Sequence, residues 1–306
     1  MRLMIGHYYL GIDAGGTKTA FKLADEKGNT VRTAVLGPGN PNDIGMERAF
    51  ELLSRGVEEV CRGISLSDVT AFAGISGGIS GNNRERLGEF FSGLGFAEFD
   101  NGSDIENLVG LSGADRCILV IMGTGFVVYA VNGEERRRIS GWGQFFDAGG
   151  CGYTLGRDAV AAALSHGDGS GEPTLITSLL EEKLGELPSA HLSEFYRRGK
   201  AYIASFGETV FDAAEKGDGV AQAILENNMA FAAEKINAGL AWLAPVGDGQ
   251  IPVLFSGGVS AKSDVIFPII EKHLVCLSHT LGRLSGEPVD GAVNVARGLK
   301  KKRKVI

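Results

Sequence analysis

Cysteine is scarce in this chain, long apolar runs are missing, and positive charge is outnumbered; each shortage removes a class of protein. Only four cysteines occur in 306 residues, Cys61, Cys117, Cys151 and Cys276. None forms a C-x-x-C pair and the histidines do not cluster, which excludes the ordinary zinc spacings and argues against a disulfide framework. A reducing, cytoplasmic setting is the expectation that follows. No stretch approaches the roughly 18 apolar residues that a membrane-spanning helix requires. The opening MRLMIGHYYLGID lacks the apolar segment and cleavage site of a signal peptide and is expected to run straight into a strand. With 30 basic against 37 acidic residues the net charge is −7, the wrong sign for a general nucleic-acid footprint. One stretch departs from that balance, the basic tail from Lys300 to Val305, which resembles a short nuclear-import signal. A solvated, cation-rich helix end explains it more simply.

What is present is an apolar complement of 44%, enough for a large core, and 46 glycines. The glycines are scattered as turns and form no repeat, so collagen-like and disordered compositions are excluded. The chain begins strand, turn, strand, turn, strand: YYLGID, TAFKLAD, the turn EKGN, then TVRTAV. A helix carrying Ile44, Phe50, Leu53, Val57 and Val60 follows, then the buried strand AFAGISGG and an amphipathic helix in NNRERLGEFFSGL. The opening arrangement then recurs. CILVIMGTGFVVYAVNGEERRRISGW is again strand, G-T turn, strand, short turn and strand, and Gly16-Thr17 aligns with Gly123-Thr124. Two copies of one hairpin unit predict two similar lobes. Helices are expected over 153–165, 173–184, around 191–216 and over 220–243. The β element IPVLFSGGVS, a helix holding Val265, Ile266, Ile269 and Ile270, and a closing helix in DGAVNVARGL complete the chain. Strands alternating with helices predict an α/β architecture with covered sheets.

Three glycine segments invite a ligand. In DAGGTKT, Asp13 ends an apolar strand, and Gly15, Gly16, Thr17, Lys18 and Thr19 follow. The G-K-[ST] ending of a P-loop is absent. The glycines permit a tight hairpin whose N–H groups, with the Thr17 and Thr19 hydroxyls, can face an anion. Asp13 can then hold Mg²⁺, an ion that uses few carboxylates and keeps its water. The same residues also suit a plain Asp-Gly hairpin turn, and the stretch alone leaves both open. Gly123, Thr124 and Gly125 form the second turn. Gly257 and Gly258, after an apolar strand and before a helix, form the third, at the kind of strand end that lines ligand crevices.

Taken in order, GIDAGGTKT, GNPNDIG, GISGG, GSDIEN, GTG, SGWGQFFDAGGCGYTLGRDA and FSGGVSAK resemble the sugar kinase, Hsp70 and actin superfamily. More narrowly they are similar to its N-acetylglucosamine kinase branch and to the BadF/BadG/BcrA/BcrD ATPases. The resemblance covers nearly the whole chain. It implies two ribonuclease-H-like lobes, residues 1–112 and 113–288 with the helix of 289–306 returning to the first, with ATP and Mg²⁺ between them and sugar deep in the cleft. It implies Asp104 as catalytic acid, since a carboxylate at a strand end can accept the proton of an attacking hydroxyl, although a first-turn helix acid is the plainer use. It implies Asn40, Ser76, Gly77, Gly141, Trp142, Gly143 and Asp147 around the sugar and Ala204 near adenine. It also implies a homodimer acting on a small-molecule sugar, with the 6-hydroxyl the expected acceptor.

The sequence departs from the pattern twice. Where many relatives read G-D-E-G-S it has DAGGC, Asp147 to Cys151, with Ala148 at the aligned acid. Where relatives that hold N-acetylglucosamine place Ser-Asn after the GTG turn it has Phe126-Val127. These losses bear on which sugar is used, because unpaired polar groups are what make such sites selective. Two rivals follow: a sugar sensor that has lost catalysis, and an activator ATPase of a dehydratase. The latter holds an iron–sulfur cluster on closely spaced cysteines, and this chain has no such pair.

Overall fold

The computed structural model describes residues 6–243, 249–276 and 278–302; the side chains of the basic tail from Lys300 to Val305 lie outside the described residues. The chain divides into two compact units, one running to Ala114 and resuming at Leu284, the other Asp115–Arg283.

In the first unit β1 (Tyr8–Ala14), β2 (Thr19–Ala24) and β3 (Thr30–Leu36) form an antiparallel meander. The short α1 (Pro41–Ile44) and the longer α2 (Met46–Val60) follow, then β4 (Val69–Ile75), α3 (Asn83–Ser92), β5 (Glu98–Gly102) and α4 (Ile105–Ser112). The sheet order is β3-β2-β1-β4-β5, with β4 parallel to both β1 and β5. β1 and β4 are buried along nearly their whole length, as central strands with helices on both faces must be. Their apolar runs are therefore continuous rather than alternating.

The second unit repeats the plan. The meander β6 (Arg116–Met122), β7 (Phe126–Asn132) and β8 (Glu135–Arg138) is followed by α5 (Gly152–Asp168), α6 (Leu175–Leu184), α7 (Leu192–Ala204), α8 (Glu208–Glu215) and α9 (Gly219–Leu243). Then come β9 (Ile251–Ser256), α10 (Ser263–His273) and β10 (His279–Arg283). The sheet order, read from the meander edge, is β8-β7-β6-β9-β10, with β9 parallel to β6 and β10. The two sheets thus share one topology, which is the physical content of the hairpin repeat in the sequence.

Two elements differ from the sequence expectation. The strand β10 carries no expected apolar pattern; its HTLGR is half-exposed and is recruited by parallel pairing to β9. The helical stretch around 191–216 is two helices, and the first is itself broken at Gly199, whose φ of 71° and ψ of −163° no helix accommodates.

The last helix, α11 (Pro288–Lys302), returns to the first unit and packs on β1, β4 and α4. Glycines make this approach possible. A Cβ on Gly11 would lie 2.5 Å from the Val293 nitrogen, and one on Gly291 would lie 1.7 Å from the Asn107 carbonyl oxygen. Backbone therefore meets backbone, and α4 is fixed against the sheet. Among the described residues no helix is long and apolar enough to cross a membrane.

Candidate active site

Register explains how the first unit assembles its acids. Asp13 pairs across the sheet with Gly74 of β4. It shares a face with Gly11, the face that α11 and α4 cover, because side chains two apart on a strand point the same way. Asn107, fully buried on α4, fills the space that a Gly74 side chain would occupy: a Cβ there would meet its amide at 2.1 Å. From that position the Asn107 Nδ2 donates to Asp13 Oδ1 at 2.7 Å and to the Gly74 carbonyl at 3.3 Å.

The pKa of Asp13 is raised to about 6. Burial is the main cause, the Asn107 hydrogen bond opposes it, the charge of Asp104 adds to it, Lys18 opposes it and Glu287 adds to it. Asp13 and Asp104 are thus electrostatic neighbours. Asp104 sits at the N-cap of α4 but makes no capping hydrogen bond with its side chain. Its Oδ1 accepts instead from the Ser103 hydroxyl at 2.9 Å. The carboxylate is therefore not committed to its own helix, the plain use that its position in sequence allowed.

The glycine turn lies beside these acids in sequence. Gly15 N–H donates to the Lys18 carbonyl at 2.9 Å, closing the hairpin, and Gly16, Thr17 and Lys18 are exposed. Thr19 corrects the expectation. It is fully buried and its hydroxyl donates to the Gly37 carbonyl at 3.0 Å, so it pins β2 to the β3–α1 loop and offers nothing to an anion. Strand alternation sends it inward while Lys18 stays outside.

Asn40 caps α1, its Oδ1 accepting from the Asn42 N–H at 3.0 Å, which leaves its Nδ2 as a donor. Gly77, at φ 71°, lies against it, since a Cβ there would come within 2.4 Å of Asn40 Oδ1. Asn83 binds both the Gly77 carbonyl (2.9 Å) and Asn42 Oδ1 (3.0 Å), a support absent from the sequence reading. Ser76 N–H donates to the Ala14 carbonyl at 2.8 Å, which puts Ser76 beside the end of β1.

In the second unit two of the three glycine segments, Gly123–Gly125 and Gly257–Gly258, meet each other and the start of α5. The turn Gly123–Gly125 joins β6 to β7, and its carbonyls receive the N–H groups of Gly152 (2.8 Å) and Tyr153 (3.3 Å) at the start of α5. A Cβ on Gly152 would lie 3.3 Å from the Gly123 oxygen and 3.5 Å from Ala204, and one on Gly257 would lie 2.7 Å from the Gly123 nitrogen. Ala204 and the Gly257–Gly258 turn therefore border the GTG turn. Thr124 is exposed.

Trp142 stands out of the core at 59% exposure, flanked by Gly141 (φ 87°) and Gly143 (φ 102°), with the Arg138 guanidinium 4.8 Å from its ring. Asp147 is buried and its Oδ2 accepts the Gly143 N–H at 2.9 Å. One of its oxygens thus closes the Gly143–Asp147 loop. Behind it, buried Asn228 accepts from Gly150 N–H (3.2 Å) and the Thr154 hydroxyl (2.6 Å), fixing the DAGGC segment to α9. A polar residue interrupting the apolar face of the long helix α9 was the available signal for Asn228. Phe126, in place of a polar residue, is core: its ring lies where a Gly150 side chain would be, 2.7 Å from that Cβ position, and 5.8 Å from the Phe231 ring.

A resident cation and a phosphate chain fit the residues present. The Asn107 Oδ1 is a buried acceptor with no partner, and it belongs to the amide that holds Asp13. Among the described residues no group of three or more histidines, cysteines or acids forms a metal cage. A hard ion such as Mg²⁺, which takes most of its ligands from phosphate and water, asks for no more than this.

Two five-stranded sheets of one topology, each opened by a glycine hairpin, define the fold class of the actin-like ATPases and their sugar kinase relatives. A glucokinase of the ROK family from Streptomyces griseus, solved with glucose and AMPPNP, has this fold with a TM-score of 0.58 at 19% identity over 96% of this chain and 99% of its own. A Chromobacterium violaceum structure, provisionally named an N-acetylglucosamine kinase, reaches a TM-score of 0.74 at 26% identity over 95% of this chain and 99% of its own. Residues 10–274 match the BadF/BadG/BcrA/BcrD ATPase family, and the chain belongs to it. A relative from Clostridium acetobutylicum, an N-acetylmuramic acid/N-acetylglucosamine kinase, is 31% identical over 72% of this chain and 74% of its own.

Proposed function

We propose that this protein is an ATP-dependent kinase that transfers the γ-phosphoryl group to a hydroxyl, the 6-hydroxyl, of an amino sugar such as N-acetylglucosamine. The observation that carries the proposal is the pair Asp13–Asp104. One carboxylate is held by Asn107 and kept reluctant to ionise; the other is uncapped and positioned only by Ser103.

The two acids take different tasks. Asp104 accepts the proton of the attacking hydroxyl, help worth about 10²- to 10⁴-fold. Asp13 is the residue that would hold Mg²⁺, through its free oxygen or through water. When bound, that ion neutralises charge developing on the phosphates. The exposed Gly16, Thr17 and Lys18, and the Thr124 hydroxyl with its flanking glycines, supply donors to phosphate oxygens; phosphoryl transfer needs mainly such positioning and electrostatics. Asn40 through its Nδ2, Ser76 and the Gly141–Gly143 loop contact the sugar. The kinase is a homodimer in this proposal.

The test is ADP release with Mg²⁺, ATP and a panel of N-acetylglucosamine, glucosamine, N-acetylmuramate and glucose, for the parent and Asp104→Asn. Turnover with an amino sugar, falling at least about 100-fold in the variant, is the expected result. Sugar binding without ADP formation would instead indicate a sensor. Equal turnover in the variant would remove Asp104 from its role.

A further inference from the structure

We infer that Lys200 is a phosphate-binding residue that clamps the β- and γ-phosphates of the nucleotide against the Gly123–Gly125 turn. The inference rests on the kinase proposal and adds to it a residue that no glycine motif announced. Three cations sit close together on α7: Arg197, Arg198 and Lys200. The first two pair with Glu194, at 3.3 and 3.6 Å, on the outer face of the helix. The Lys200 ammonium has no hydrogen bond and no ion pair among the described residues. The residue is nevertheless half-buried. A lone ammonium drawn partly out of water is costly unless an anion compensates it.

The direction of Lys200 says which anion. The helix is broken one residue earlier, at Gly199, so Lys200 leaves the face that Arg197 and Arg198 share. Its Nζ lies 3.1 Å from the position of a Gly125 Cβ, directly against the turn assigned to phosphate. Lys200 also lines a pocket of ≈ 70 Å³ with Gly125, Gly141, Gly143, Asp147, Tyr153 and Thr154, so the phosphate turn and the Gly141–Asp147 loop share this space. Gly125 has no side chain to obstruct this approach. Lys200 and the exposed Thr124 hydroxyl therefore flank a single turn, one as a point charge and the other as a donor. A lysine suits this task because its compact charge follows a phosphate that changes position during transfer, whereas an arginine fork fixes one geometry.

The experiment is calorimetric titration of the parent, Lys200→Met and Lys200→Arg with AMP, ADP and ATP in the presence of Mg²⁺, together with the KM for the sugar. Loss of one charge-assisted contact predicts about 10- to 100-fold weaker ATP and ADP binding in Lys200→Met, with AMP affinity and sugar KM unchanged. Lys200→Arg, retaining the charge, is expected to recover most of the loss. Unaltered ATP affinity in Lys200→Met overturns the assignment. So does an equal loss for AMP, which would mark a general disturbance of the site, or a raised sugar KM with intact ATP binding, which would place the ammonium on the sugar. If Lys200→Met does not fold, the Lys200→Gln variant is read by the same criteria. A parent that binds no ATP overturns the kinase proposal and this one together; a parent that phosphorylates sugar while Lys200→Met binds ATP normally overturns this one alone.

Discussion

A carboxylate held largely away from water, next to a second carboxylate, resists ionisation, and Asp13 is in that position. Its folded pKa of about 6 exceeds the ordinary 3.8. The neutral form is therefore favoured by folding: the stability it contributes is complete below about pH 4 and is lost as pH rises through about 6. Asp13→Asn keeps the acceptor for Asn107 and removes the charge. The variant is expected to be more stable than the parent by about 1–3 kcal/mol at pH 8 and no more stable at pH 3.5, by denaturant melts at both values. It is also expected to lose kinase activity at every pH. Equal stability at pH 8 would mean that burial does not strain this acid. Phe126 gives a second residue-scale result. Replacing it with serine, the residue that the family resemblance puts at this position, does not simply restore a polar contact. The ring fills the space against Gly150 and Phe231, so Phe126→Ser is expected to cost about 3–5 kcal/mol in a urea titration without improving kcat/KM for that sugar. Asn107 and Lys200 mark the limit of the sequence at this scale. Strand ends and glycine turns announce where a ligand approaches, but a buried amide that orients an acid is visible only once register sets Asp13 beside Gly74.

At the scale of elements, helix ends do much of the positioning. Asp218 joins two of them. It receives the Ala221 N–H at 2.8 Å at the start of α9, and the Leu175 N–H (2.6 Å) and the Thr174 hydroxyl at the start of α6. Burial alone would raise its pKa, but these donors outweigh burial and hold it below the usual carboxylate range. Its stabilisation is present above the unfolded pKa and is lost as pH falls through the lower, folded value. Asp218→Ala is expected to destabilise by about 2–3 kcal/mol at pH 7, two caps and a stranded hydroxyl together, and the difference should shrink in acid. A difference that stays constant to pH 2 would mean that the cost lies in packing. The same scale explains why hairpins were legible and β10 was not. Meander strands carry long apolar runs and glycine turns of their own. HTLGR is five residues long, half-exposed, and becomes a strand only because β9 offers an edge in parallel register.

For the whole molecule, the chain's path is the main constraint. The first unit is discontinuous: it closes only when α11, made after the entire second unit, comes back to β1 and α4. One face of its sheet is built from Tyr9, Ala24 and Phe72 on the strands and Ala292, Val293 and Ala296 on α11. Without that helix the apolar face of the central strands, and the helix α4 that carries Asn107, lose their cover. The repeat in the sequence revealed two units of one design, since periodic apolar strands report their own kind. It could not reveal how closely the last helix approaches, because Gly11, Gly110 and Gly291 read as ordinary strand or helix glycines until backbone is seen against backbone. A chain ending at Arg283 is therefore expected to keep the core of the second unit and lose that of the first. Hydrogen exchange tests this directly: amides of β1 and β4 should exchange within the dead time, while those of β6 and β9 stay protected. In the full-length chain, Gly291→Val forces a side chain into the Asn107 carbonyl and should produce the same pattern more mildly, with loss of activity from displacement of Asn107 rather than from any change in Asp104. Protected β1 amides in the shortened chain would show that the strands hold this face unaided, and that α11 contributes only to the placement of Asn107.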